Sequence, residues 1–249
     1  MLQITYHGRL GNTLFLCVGA SMLARRYDLK VISYNIPVYE YPHTELSEIQ
    51  KYLGIELFCG NAGYNEWAEI TDKNLIQALN GEFKNKAFHI NKSKDTYFQI
   101  KPFVLEYKQE IRDHFKNLKY DNYVSKDDVL LHLRLGDKAN SIGRDVPDLK
   151  YYHECFNKIT FKNGYIMTDT PEHSLVKELI GSYNLRILNG SPAECLAFAK
   201  NFNKLILSSG TFSWWIGFLS KAETIYYPIP SKPWHGDIFV YPEWQGINI

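Results

Sequence analysis

The chain has 249 residues, 45% hydrophobic and 22% charged, so it can bury a sizeable core as one large domain or two of roughly 120 residues each. A formal net charge of +1 gives no electrostatic footprint for nucleic acid, and the cluster Lys84, Lys86, Lys92 and Lys94 reads as a solvated loop rather than a polyanion site.

The first element is an alternating strand with Leu2, Ile4 and Tyr6 on one face, followed by the turn His7-Gly8-Arg9-Leu10-Gly11-Asn12. Leu14, Val18 and Met22 then repeat at helical spacing, and Val31–Tyr34 reads as a second strand, a βαβ start of the kind that builds a parallel sheet. Helices are expected near Leu75–Leu79 and Phe103–Leu118, and Lys119–Lys126 reads as a linker. The βα rhythm then resumes: strand Val129–Leu133, helix Tyr152–Ile159, strand Tyr165–Met167, helix Pro171–Tyr183 and strand Leu185–Leu188. Helix Pro192–Lys200, strand Lys204–Leu207, helix Phe212–Leu219 and strand Thr224–Tyr227 complete it. Two successive Rossmann-like α/β halves follow, residues 1–125 and 126–249.

Cys17, Cys59, Cys155 and Cys195 lie far apart without a C-x-x-C pair, so they suggest neither a zinc site nor a disulfide framework and are expected as reduced thiols. The N-terminus lacks a basic and then apolar leader pattern, and no run approaches the roughly 18 apolar residues of a membrane span. The expectation is a soluble, cytoplasmic chain.

Open α/β sheets bind ligands at the carboxyl ends of their strands, and chemistry-bearing residues gather at such ends here. Gly8 and Gly11 allow a tight turn and close backbone approach, while Asn12 can cap the helix or face a sugar hydroxyl. His132 and Arg134, two apart on a strand, share one face as a basic pair, and a guanidinium suits a diphosphate. The alternative is a structural ion pair of Arg134 with Asp137. Ser208, Ser209, Thr211 and Ser213 dress a helix start with hydroxyls, which suits a phosphate or an ordinary cap. Asp169 reads either as a base or ribose contact or as an N-cap before Pro171. Trp214 and Trp215 read as packing behind that helix start. Trp234, Tyr241 and Trp244 suit sugar stacking or a tail packed on the core, and Tyr34, Tyr39 and Tyr41 an acceptor.

In order, Gly8–Asn12, H-x-R-x-G-D at His132–Asp137, Met167-Thr168-Asp169 and Thr211–Trp215 resemble the signature blocks of the alpha-1,2-fucosyltransferase family. The resemblance spans nearly the whole chain and is densest after residue 128. It implies a two-Rossmann (GT-B) architecture with the halves facing across a cleft. It also implies metal-independent inverting transfer of a sugar, L-fucose from GDP-fucose, to a glycan hydroxyl, with the donor held by the C-terminal half and no cofactor. Carried over, Arg134 holds the donor diphosphate with His132 beside it, and Thr211, Phe212 and Ser213 contact phosphate. Asp169 serves as base or ribose contact, and Gly8, Arg9, Gly11 and Asn12 form the N-terminal loop over the sugar. Arg134, Asp137 and Asn12 are the catalytic candidates, and Ser209 joins the donor-binding set. Many family members carry a second arginine where this chain has Leu135, and the N-terminal half is short, which leaves another nucleotide sugar or a non-catalytic sugar-binding module as alternatives. No D-x-D motif offers a divalent cation site, so Arg134 and the helix start would neutralise the leaving phosphate. Asp137, Asp145, Asp148 and His7 are the candidate bases, and an adjacent arginine argues against Asp137 by lowering its basicity.

Overall fold

The structure is a computed structural model that describes residues 1–6, 8–34, 58–59, 67–84, 87–93, 95–120, 123–142, 146–229 and 238–249. It divides into two compact units, Met1–Asn117 with His235–Ile238, and Leu118–Trp234 with Phe239–Ile249.

In the first unit β1 (Leu2–Thr5), β2 (Val31–Tyr34), β3 (Phe58–Cys59), β4 (Ala68–Ile70) and β5 (Phe88–Ile90) form a parallel sheet of order β3-β2-β1-β5-β4. The order reverses at β1, so the loop leaving β1 sits at a topological switch point. Leu2 and Ile4 are fully buried, as their alternation requires, and helix α1 (Leu10–Arg26) is enclosed along nearly its whole length. Gly19 is what lets Phe98 lie on α1: a Cβ there would come 2.5 Å from the Phe98 ring. Helix α2 (Leu75–Leu79) matches its expected bounds. The single helix expected over Phe103–Leu118 is instead two, α3 (Lys101–Glu106) and α4 (Lys108–His114), which meet at Tyr107. Strands β3 to β5 escaped the sequence reading because segments of two or three residues carry too little period to see.

The second unit holds β6 (Val129–Leu133), β7 (Gly164–Thr168), β8 (Leu185–Ile187), β9 (Lys204–Ile206), β10 (Thr224–Ile229) and β11 (Gln245–Asn248) in one parallel sheet. Its order, β11-β10-β9-β6-β7-β8, is that of a dinucleotide-binding fold with the reversal between β6 and β9. Helices α5 (Leu149–Asn157), α6 (Ser174–Tyr183), α7 (Pro192–Ala199) and α8 (Thr211–Leu219) make the crossovers. Leu131, Leu133, Tyr151, Tyr152, Ile166, Val176 and Ile206 form one core under them. The fold class, α/β with two Rossmann-like halves, is as expected from the sequence.

From Trp214 to Leu219 helix α8 is apolar all round, and an all-apolar stretch must be enclosed. Trp214, Trp215 and Phe218 have no exposed surface, and the Trp214 ring stacks on Phe218 at 4.5 Å. A Cβ at Gly217 would come 2.8 Å from Trp244 and 2.9 Å from Leu207, so the glycine lets the helix settle on β9 and on the tail. Tyr241 and Trp244 are buried in that packing, which excludes sugar stacking by either. Trp234 and Tyr39 and Tyr41, and the side chain of Tyr34, lie outside the described residues. Cys17, Cys155 and Cys195 are free thiols.

Candidate functional site

Each unit carries polar side chains at its switch point. At the first, Gly8 has φ +81°, a left-handed conformation that favours glycine, and a Cβ there would lie 2.6 Å from Asn12 Nδ2. The turn is shorter than the expected His7–Asn12. Helix α1 starts at Leu10, so Gly11 and Asn12 lie inside its first turn and Asn12 is not the cap. The N-cap is Arg9, whose carbonyl oxygen accepts from Asn12 N at 2.9 Å and Thr13 N at 3.1 Å. Asn12 Oδ1 accepts from Gln99 Nε2 at 3.0 Å, a partner 87 residues away that no sequence signal marked. Gln99 is held by a loop with two non-glycine residues in the left-handed region, Asn91 at φ 60° and Phe98 at φ 58°. Asp72 Oδ1 accepts from Phe98 N at 2.7 Å and fixes that conformation, and Asn91 Nδ2 donates to the Thr5 carbonyl at 2.8 Å. Such conformations cost about 1–3 kcal/mol each and persist where surrounding bonds over-determine them.

At the second switch point the end of β6 meets the end of β9. His132 lies on the face of β6 opposite the core leucines Leu131 and Leu133, and Arg134 follows directly after the strand ends. After β9 the chain runs through fully buried Ser208, then Ser209, to Gly210, which caps α8 at φ +112° with no side-chain bond. The first N–H groups of α8 have no intrahelical acceptor, and the helix dipole adds partial positive charge there. The Arg134 guanidinium joins them: a Cβ on Gly210 would lie 3.6 Å from Arg134 Nη1. Arg134 is only 15% exposed, and its carbonyl accepts from Ser208 Oγ at 3.4 Å. Ser209 Oγ is buried and has no hydrogen-bond partner among the described residues.

Asp169, at the end of β7, ties this loop down. Its Oδ1 accepts from Leu135 N at 3.0 Å and Gly136 N at 3.2 Å, and its Oδ2 lies 3.9 Å from Arg134 Nε. It is not an N-cap: α6 begins at Ser174, with His173 capping it. The pairing of His132 and Arg134 as two cations is also corrected. Burial first, and then the Arg134 charge, push the His132 pKa down from 6.5 to about 3, so the imidazole is neutral at pH 7. His132 Nδ1 lies 2.5 Å from Ser213 Oγ, and its ring packs 5.5 Å from that of Phe212. Thr211 and Ser213 are both buried.

Of the candidate bases, Asp148 caps α5 by accepting from Tyr151 N at 3.2 Å. His7 and Asp145 lie outside the described residues, as does the side chain of Asp137, whose backbone belongs to the 3-10 turn Gly136–Ser141. Among the described residues no group of three or more His, Cys, Asp or Glu is placed to hold a metal ion. No helix among them is long and apolar enough to cross a membrane.

A Rossmann-like unit whose switch point gathers an arginine and a helix start without a side-chain cap has the chemistry that suits an anionic ligand on an α/β sheet. Residues 43–248 match Glycosyl transferase family 11, and the chain belongs to that family. A segment of 68 residues is 34% identical to galactoside alpha-(1,2)-fucosyltransferase 2 of Oryctolagus cuniculus, covering 24% of this chain and 19% of that protein. The fold is similar to that of fucosyltransferase NodZ from Bradyrhizobium, at 11% identity and a TM-score of 0.55 over 88% of this chain and 93% of that one. A structure of NodZ alpha-1,6-fucosyltransferase soaked with GDP-fucose is similar at 10% identity and a TM-score of 0.54, over 88% and 92%.

Proposed function

We propose that the chain transfers L-fucose from GDP-fucose to a hydroxyl of a glycan acceptor, with inversion at the anomeric carbon. Family membership supports the reaction class, and the names of the rabbit relative and of NodZ support the sugar. The single observation that carries it is the Arg134 guanidinium lying against Gly210, where helix α8 begins. In the transfer, the acceptor oxygen bonds to the fucose anomeric carbon as the bond to the β-phosphate oxygen breaks. The electron pair leaves with GDP, and the acceptor's proton passes to a base, for which Asp137, His7 and Asp145 stand as candidates. Charge therefore grows on the departing diphosphate, and donors arranged beforehand lower the barrier. Arg134 and the N–H groups of Thr211, Phe212 and Ser213 take that role, without a divalent ion. Asp169 acts here by holding Leu135, Gly136 and Arg134 in place, and residues 126–249 serve as the donor half. Gly8, Arg9 and Gly11 join Ser209 in the donor-binding set as the loop over the sugar, with Asn12 as a catalytic candidate.

Release of GDP from GDP-fucose in the presence of a galactoside-ended glycan, with fucosylated product detected by mass, tests the proposal. Thermal-shift measurements across GDP- and UDP-sugars test the donor, since a ligand at 100 times its Kd stabilises by about 2.7 kcal/mol. Turnover that survives EDTA is expected, and strict dependence on Mn²⁺ would contradict the metal-free reading.

A further inference from the structure

His132 and Ser213 come from different elements, the end of strand β6 and the first turn of α8, and touch through one short hydrogen bond. A neutral imidazole has one N–H and one bare nitrogen, and the bond at one nitrogen decides which is which. If Nδ1 held the proton, the bare Nε2 would present a lone pair to whatever anion Arg134 attracts. Exposure argues for the reverse. Ser213 is 1% exposed and its hydroxyl makes no other hydrogen bond among the described residues, whereas His132 is 6% exposed. Its Nε2 makes no hydrogen bond among the described residues, which leaves that nitrogen for a ligand group. Phe212 packs against the imidazole and holds its plane.

We infer that Ser213 is a positioning residue: its hydroxyl donates to His132 Nδ1, fixes the imidazole as the Nε2–H tautomer, and makes His132 an uncharged donor to an anionic oxygen of the nucleoside diphosphate. The inference rests on the donor-site reading above and alters it at one point, because Ser213 acts through His132 rather than on phosphate with its own hydroxyl. A neutral donor beside Arg134 adds a hydrogen bond without adding a second cation that the buried face would have to accommodate.

Nitrogen-15 NMR of the imidazoles in the unliganded full chain at pH 7 reads the tautomer directly. A protonated Nε2 and a bare Nδ1 at His132 are expected, and an Nδ1–H signal would overturn the inference. Titration calorimetry with GDP then tests the consequence. His132→Phe should weaken GDP about tenfold, the scale of a hydrogen bond to a charged group. His132→Gln, which carries an amide nitrogen at the Nε2 position, should recover most of that loss. Ser213→Ala should weaken GDP a few-fold alone and add nothing in the His132→Phe background, while Ser213→Thr should bind as the parent does. Losses that multiply in the double variant would show Ser213 contacting the ligand by itself and would overturn the inference. A parent chain that takes no GDP at all would remove the donor-site reading, an outcome the tautomer signal distinguishes from a wrong assignment of Ser213.

Discussion

The two switch points are built alike in topology and differently in chemistry. At the first, Asn12 is tied to Gln99 by an amide pair, and the loop that carries Gln99 holds Asn91 and Phe98 in left-handed conformations. At the second, positive φ falls on glycines, Gly210 at +112° and Gly136 at +42°, and Arg134 is set against a helix start without a side-chain cap, with Asp169 behind it. The difference teaches that the same βα turn can spend its structure on geometry or on charge. A neutral amide pair suits hydroxyls, where direction matters most, whereas a guanidinium with a helix dipole suits a phosphate, where charge does.

The largest expected effect is on the charged side. Arg134→Ala should lower turnover of GDP-fucose on the order of a hundredfold or more, by analogy with loss of one donor to a transition-state charge, while leaving the melting temperature near that of the parent. Arg134→Lys should recover only part, since an ammonium cannot bond two oxygens in one plane. Unchanged turnover would erase the contrast between the two ends.

Next is the packing that keeps the helix start rigid. Trp214→Ala should destabilise the chain by about 3–5 kcal/mol in denaturant melts, because a fully buried indole stacked on Phe218 leaves a cavity. Gly19→Ala tests the other end in the same way. The methyl meets the Phe98 ring, and a cost of about 1–3 kcal/mol is expected with loss of activity through displaced Gln99.

Acid separates the units further. His132 has its pKa lowered from 6.5 to about 3, so the unfolded chain takes up the proton first as the pH falls. Its contribution to stability is complete above pH 6.5 and drains away between 6.5 and about 3. Burial lowers His89 and His114 in the first unit as well, with the same sign. Unfolding midpoints followed from pH 7 to pH 4 should fall, and His132→Gln should flatten that slope more than His89→Gln does. The smallest effect expected is from Gln99→Ala, about 1 kcal/mol for one buried hydrogen bond, with a few-fold loss of turnover that Gln99→Glu does not restore.

The second switch point was legible in the sequence because its parts sit in motifs whose order matches the sheet. The run Leu205–Leu207 marks a buried strand, and Thr211–Trp215 marks the helix after it. What these could not reveal was protonation. His132 looks like a cation beside Arg134, and only its burial makes it neutral. Asp169 could be read as a cap because Pro171 follows it, yet the helix starts later, at Ser174. The first unit was less legible for a plain reason. Strands of two or three residues lack a measurable period, and Gln99 meets Asn12 across 87 residues of chain.

Titration calorimetry of GDP against the parent chain and Arg134→Ala tests the central claim most directly, since it isolates the second switch point from acceptor and base. GDP is expected to bind the parent and to bind the variant at least tenfold more weakly. Equal affinity in the two proteins would contradict the placement of the donor diphosphate at Arg134 and the start of the helix that begins at Thr211.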